Sequence, residues 1–454
     1  MNMKSISKGL VVTALLSAFL WSGADRVAYA QAAPAAAHKK QVKDQGEYDI
    51  YNESLKDIQA KNWTKAITDL GTWKQKYPDS AYKDDRTVYL LTAYNESKQF
   101  DKAVETAGSL MNSGMPDLTP QQVITVLFST CQAVSQIQNP TPDQLAVGAK
   151  AAHELMGYDK KPEGVNDAAW ATAKTQLQNA AEATLVYIAL RPGREAMAKK
   201  DCPTAESALS KALGDYPGSG QVAYEYGAAL ITCDRTNPDK VSAALYELAR
   251  AVGLDPAKGG LDPKTKTTVE AYLTKVYTAV HGSNEGLDQL KQQAMASPTP
   301  PAGFHVKTGA EIATEKQNQF KQEHPQLALW MGIKGQLMDT ANGQQYFDNQ
   351  LKNAAVPKLR GVVVEGKPEC RSKELTVAVP EPDAQGTPIA EITLKLDAPL
   401  TGKPEAGQEI QWEGVPSAFT QQPFMLTMDT EKAKIDGLKT SPCVVHRPPV
   451  RKKK

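Results

Sequence analysis

The sequence predicts a mainly α-helical chain, a solenoid of paired helices followed by a small antiparallel β-barrel or sandwich. From about residue 47 to about residue 300, Ala, Leu, Tyr and Lys recur at three-and-four spacing, broken by Pro, Gly and Asn-Pro, with almost no alternating stretch. Small residues and prolines return at one spacing: Ser54, Ala66 and Pro78 lie twelve apart, and Gly193, Ala205 and Pro217 repeat it. After Pro357 the pattern turns to alternation in five short segments separated by Pro, Gly and Asp.

Ahead of the solenoid, Lys4 and Lys8 precede the apolar run Gly9 to Trp21, and Ala28-Tyr29-Ala30 closes the region. A basic start, a short apolar run and a small-x-small site are the pattern of a secretory signal peptide cleaved near Ala30. The run is shorter than the roughly 20 residues of a membrane span. An uncleaved anchor is the alternative, since the segment also carries Asp25 and Arg26. Residues 31–46, rich in Ala, Lys and Gln with no apolar period, read as a flexible leader. The expected location is therefore periplasmic or secreted. With 52 basic against 51 acidic side chains the net charge is +1, so no global field exists to hold nucleic acid.

The helical region divides into pairs. Leu70 and Trp73 lie between the second and third marks of the first pair, and Leu209 and Ala212 hold the same places in the later one. In the second pair Tyr94, Ala103, Ala107 and Leu110 fit the register, with the closing proline displaced to Pro116. Another pair has Gly227, Ala244, Leu248, Ala251 and Pro256, with extra residues in the turn "CDRTNPDK". Weaker pairs fill 118–157 and 262–298, making four recognisable repeats and two degenerate ones. A small residue in mid-helix is required where two helices cross closely, and proline ends the second helix. An unrelated helical bundle is the competing reading.

This register resembles the tetratricopeptide repeat, whose period is about 34 residues. The resemblance implies an α-solenoid over 47–300, with the first helix of each pair lining a concave face that binds a polypeptide. Carried onto this chain, it places Tyr48, Tyr51, Asn95, Tyr187, Arg194 and Tyr224 toward that face. Tyr and Arg suit interfaces because they bury large area and keep a polar tip. For Tyr187 and Tyr224, packing between repeats is an equal alternative. No paired Lys and Asn set suggests a carboxylate clamp. Residues 70–110, with "YPDSAYKDD" before "YLLTAY", also resemble repeats of secreted bacterial proteins of the Gram-negative envelope, without the lipidated cysteine of the assembly lipoproteins.

Residues 301–356 form a proline-rich linker followed by helices expected to cap the open end of the solenoid, or else to dock on the last domain. The segments "LRGVVVEG", "KELTVAVPE", "AEITLKLD", "QEIQWEG" and "PFMLTMD", with a sixth at "AKIDGL", place strands within a domain over 357–442. The stretch "GKPEAGQEIQWEGVPSAF" resembles the approach to a late strand of OB-fold-like barrels.

Catalytic patterns are missing from the sequence: no G-x-S-x-G, no phosphate-binding G-x-x-x-x-G-K-[ST], since Pro368 follows the one G-x-x-x-x-G-K at Gly361 to Lys367, and no H-E-x-x-H. The six histidines stand singly, so neither a metal nor a cofactor is expected. Asp255 to Thr265 could be imagined as a calcium loop, but lacks the alternate-residue oxygens of one and reads as an inter-repeat turn. Cys202 and Cys233 fall at equivalent turns of adjacent repeats. Stacking brings them near each other, although pairing needs Cα atoms within about 7 Å. Cys370 and Cys443 would tie the tail of the barrel to its body, and Cys131 lies on an apolar helix face. The basic tail over 443–454 reads as solvated, or as a contact with an anionic surface or acidic partner. The expected function is a non-catalytic protein-interaction scaffold in the cell envelope. The alternatives are an enzyme or carbohydrate-binding protein with its site in the β domain, and a structural envelope component.

Overall fold

A computed structural model describes residues 40–382 and 384–443. The signal segment, residues 31–39 of the leader and the basic tail beyond Cys443 lie outside the described residues. The chain divides into two compact units, one ending at Lys307 and one starting at Thr308.

Six helix pairs build the first unit: α1 (Gln45–Gln59) with α2 (Trp63–Lys76), α3 (Lys83–Glu96) with α4 (Phe100–Asn112), and α5 (Pro120–Gln136) with α6 (Pro142–Gly157). They continue with α7 (Asp167–Ala198) and α8 (Cys202–Asp215), α9 (Gly220–Cys233) and α10 (Pro238–Gly253), then α11 (Pro263–His281) and α12 (Leu287–Ala296). This is a tetratricopeptide-like solenoid, and the bundle alternative falls. The repeat shows at atomic detail in the turns. Lys61, Lys98 and Lys200 take the same left-handed conformation, with φ of 56°, 60° and 61°, after α1, α3 and α7. Each following amide closes back on the helix, Asn62 N to Asp57 O, Gln99 N to Tyr94 O and Asp201 N to Ala196 O, at 2.8, 2.8 and 2.9 Å. This left-handed closure satisfies carbonyls that the helix end leaves free.

The small residues sit where the helices of a pair cross. Ala66, Ala103, Ala205 and Ala244 are fully buried. A Cβ on Gly227 would stand 2.9 Å from the Ala244 carbonyl oxygen, backbone that cannot step aside, and one on Gly193 would stand 2.5 Å from Leu209 Cγ. Fully buried Leu70, Trp73, Leu91, Leu190, Leu245 and Leu273 fill the layers, each leucine contributing about 2 kcal/mol of burial. Two apolar cores result. One runs from Val88 to Leu185, the other from Val186 to Val306, and α7 belongs to both.

The leader expected through residue 46 ends earlier. Asp44 is the N-cap of α1, accepting from Glu47 N at 2.9 Å and from the Tyr77 hydroxyl at 2.7 Å. The cap residue has the extended backbone that this role requires.

One buried charge pair lies in α10. Glu247 is 1% exposed and its Oε1 has no partner, while Arg250 Nη1 stands 3.4 Å from Oε2. Burial pushes this carboxyl up from 4.5 to about 7, against the pull of Arg250. Between those two values the native state holds a proton that the unfolded chain has released. Stability therefore falls as pH rises through that window, by on the order of 3 kcal/mol in full. The expected result is a lower urea midpoint for the solenoid at pH 8 than at pH 5, with the difference flattened in Glu247→Gln.

In the second unit α13 (Gly309–Glu323), α14 (Pro325–Met338) and the short α15 (Gly343–Tyr346) lead into the strands. Trp330, Ile333 and Leu337, at helical spacing on α14, enter the barrel's apolar core. Trp330 Nε1 donates to Glu391 Oε2 at 3.0 Å, Lys334 pairs with Glu391, and Gln421 Nε2 donates to Leu337 O at 2.9 Å. Of the two roles expected for the helices of 301–356, α14 takes docking on the last domain. The apolar stripe of α14 is matched by the mouth of the barrel, where β3 and β6 begin.

The strands are β1 (Val356–Lys367), β2 (Glu374–Ala378), β3 (Ile392–Leu396), β4 (Lys403–Pro404), β5 (Glu409–Gln421), β6 (Phe424–Thr430), β7 (Ile435–Asp436) and β8 (Thr440–Ser441). Five close in the order β1-β2-β3-β6-β5, with β5 returning to β1, so the unit is a barrel and the sandwich alternative is excluded. The expected antiparallel pattern has one exception, β3 beside β6 in parallel. Register breaks at 363/365, 356/359 and 416/418 supply the local bends that closure of a small barrel requires. Leu359, Val363, Leu375, Val377, Ile392, Leu394, Ile410, Trp412, Leu426 and Met428 fill the interior.

Candidate functional site

The first helices α1, α3, α5, α7 and α9 are joined one to the next by side-chain contacts. Tyr51 of α1 meets Tyr82, the residue before α3, with ring centroids 5.4 Å apart, and Trp73 lies edge-on to Tyr51 at 5.5 Å. Asn95 Nδ2 of α3 donates to Ser129 O of α5 at 3.1 Å. Thr184 Oγ1 of α7 reaches Cys131 O of α5 at 3.4 Å. Arg194 of α7 grips Glu225 of α9 with two hydrogen bonds, Nε to Oε2 at 2.8 Å and Nη2 to Oε1 at 2.5 Å. Gln221 Nε2 braces the same carboxylate at 2.6 Å.

The sequence-selected residues thus divide by task. Tyr48 is 48% exposed. Tyr51 and Tyr224 are half-buried, and burial raises both hydroxyls above the usual tyrosine range. Tyr187 lies under the guanidinium groups of Arg191 and Arg194, 5.9 and 6.0 Å from its ring centroid, and its hydroxyl accepts from Arg191 Nη1 at 3.1 Å. Asn95 and Arg194 hold neighbouring repeats together. For Arg194, burial works against the charge, but the Glu225 carboxylate outweighs it and the net shift is upward. At the far end of the unit, Glu270, Ala271, Thr274, Lys275 and Thr278 of α11 line an open trough of about 1020 Å3.

Residues missed by the sequence reading carry the N-terminal end of this face. Glu47 is fully buried and accepts from Trp73 Nε1 at 3.0 Å and from Lys43 N at 2.6 Å. Asp85 of α3 pairs with Lys40 and accepts from Gln122 Nε2 of α5 at 2.8 Å. Only the tie between Lys40 and a residue 45 positions away reveals this, a link that no local pattern encodes.

Among the described residues one acidic grouping has metal-like spacing, Glu53, Asp57 and Asp69, and the Lys65 ammonium pairs with all three. Asp255 and Asp262, the two aspartates of the imagined calcium loop, cap helices instead: Oδ1 of the first accepts from Ala257 N, and Oδ1 of the second from Lys264 N and Thr265 N. Cys202 is bonded to Cys233 with Cα atoms 5.6 Å apart, and Cys370 to Cys443 at 5.9 Å. Cys131 is free and buried, and burial pushes its thiol up to about 12, which removes it as a nucleophile. Among the described residues no helix is long and apolar enough to cross a membrane.

No curated protein matches this chain. A family model described as the tetratricopeptide repeat matches residues 38–119. Over that stretch, which holds α1 to α4, the chain is similar to the tetratricopeptide repeat, a unit that in general mediates contact between proteins, and the described helices repeat its pairing to Ala296.

Proposed function

We propose that this protein is a non-catalytic scaffold of the periplasm or cell envelope that binds a polypeptide along the face of its first helices. The observation that carries the reading is the unbroken row of first helices, knitted by Asn95, Thr184 and Arg194 and bearing Tyr48, Tyr51 and Tyr224 along its length. A row of that kind offers an extended ligand several shallow aromatic and polar contacts instead of one deep pocket. The envelope location rests on the pattern of residues 1–30 and on the two cysteine pairs, since disulfides persist in oxidising compartments. The basic run after Cys443 would add contact with an anionic surface.

The test places a photocrosslinking amino acid in the full chain at Tyr48, at Lys275 or, on a second helix, at Lys211. Crosslinks to one defined polypeptide from the first two positions and none from Lys211 are the expected result. Equal labelling from all three, or none from any, would sink the reading and turn attention to the β unit.

A further inference from the structure

The five residues before α1 form a strap fastened at both ends. Asp44 is held by the Tyr77 hydroxyl. At the other end the Lys40 ammonium pairs with Asp85 and donates to the Asp117 carbonyl at 2.8 Å, and the Tyr82 hydroxyl donates to the Lys40 carbonyl at 3.0 Å. The partners belong to the second and third repeats, so the strap crosses from the start of α1 past the start of α3 to the residues ahead of α5.

This contact differs from the chain's ordinary surface pairs. Side-chain exposure is 25% for Lys40 and 14% for Asp85, against 77% and 50% for Lys211 and Asp215. Both Asp85 oxygens are engaged, one by Lys40 and the other by Gln122 Nε2. The cradle therefore recognises an ammonium group by a half-sequestered carboxylate and a main-chain oxygen, and recognises extended backbone by a tyrosine hydroxyl. Nothing in those contacts requires the lysine to come from the same chain. Asp85 stands 37 positions after Tyr48, the offset that separates Lys61 from Lys98 and Ala66 from Ala103, so it holds the place of Tyr48 on the helix face assigned above to the ligand.

We propose that Asp85, the Asp117 carbonyl and the Tyr82 hydroxyl form a lysine-reading subsite of the groove, occupied in cis by Lys40, and that the partner in trans is an extended polypeptide presenting a lysine there. This rests on the scaffold reading and gives it a chemistry. The strap then acts as a tethered competitor. A short tether keeps its ligand at an effective concentration of about 1 mM, so a free peptide with a Kd near 0.1 mM would be held off about tenfold.

The probe is a fluorescein-labelled peptide of residues 38–46, titrated by anisotropy into the full chain at low salt. Lys40→Ala protein is expected to bind it about tenfold more tightly than wild type. The gain should vanish when the peptide itself carries Lys40→Met, and when Asp85→Asn is added to the Lys40→Ala protein. Equal binding to wild type and Lys40→Ala, or no binding to Lys40→Ala up to about 1 mM, would show Lys40 to be a fastening only and overturn the proposal. Should Lys40→Ala lose its circular dichroism, unlabelled peptide is added to wild type and amide exchange of residues 41–44 is followed. Faster exchange supports displacement of the strap, and unchanged exchange overturns it. The crosslinks from Tyr48 and Lys275 are read separately, so failure of the subsite is distinguishable from failure of the scaffold.

Discussion

Trp412→Ala is expected to speed amide exchange across β5 and β6 by about 10²–10³-fold, the equivalent of about 3–4 kcal/mol. Trp412 is fully buried at the centre of the barrel. On β5 it pairs with Leu359 of β1 on one side and Ile435 of β7 on the other, so its ring sits beside the seam that closes the barrel. A Cβ on Gly361 would stand 3.1 Å from Trp412 Cη2, so the ring lies against bare backbone that has no side chain to fill a void. Its Nε1 is buried without a partner, which offsets part of the packing gain. Trp412→Phe removes that orphan donor while keeping a ring, and should cost about 1 kcal/mol. Hydrogen exchange read peptide by peptide separates the two units; equal protection in wild type and Trp412→Ala would refute the central role of the ring.

Replacing Cys370 by Ser should destabilise the β unit by about 4 kcal/mol, the loop-entropy value for a closure of this length. Cys370 lies between β1 and β2, and Cys443 follows β8, 73 residues on. Between the end of β6 and Cys443 the only strands are the two-residue β7 and β8, which have few ladder bonds to hold them. The expected signature is early exchange of residues 435–441 in Cys370→Ser, followed by a lower urea midpoint for the whole barrel. Cys131→Ser, which breaks no bridge, provides the control in the other unit. An unchanged midpoint in Cys370→Ser would mean that β7 and β8 dock without the bridge.

Those two variants probe parts of the molecule that the sequence made legible to different degrees. The crossing positions Ala66, Ala103, Gly193 and Gly227 were readable because close approach admits only small side chains, and that constraint repeats with the helix pair. The strands were readable for the same kind of reason, since alternation in β1 and β5 follows the pleat. Nothing local, however, announces the parallel pairing of β3 with β6, which depends on how the whole barrel closes. Nor does local pattern say which surface α14 covers: an apolar stripe with Trp330, Ile333 and Leu337 suits a solenoid end as well as a barrel mouth. Among the residues selected for the ligand face, residue type pointed to Asn95, Tyr187 and Arg194 but not to their partners. Ser129 and Glu225 were invisible because their contacts are chosen by stacking between repeats, whereas Arg191 meets Tyr187 one turn along the same helix. Lys40 was hidden by its composition, lying among Ala, Lys and Gln residues that carry no apolar period.

Helix α7 has a consequence for the mechanics of the solenoid. At 32 residues it is about 48 Å long, and Leu177, Ala181 and Leu185 serve one core while Val186 and Leu190 serve the other. A chain of equal repeats behaves like a string of beads, each able to fray or flex against the next. This one has a splint through its middle, a single helix that packs in both cores and so couples the early repeats to the late ones. One rung of the splint is missing near its C-terminal end, where Pro192 lacks the amide that would bond to the Ile188 carbonyl.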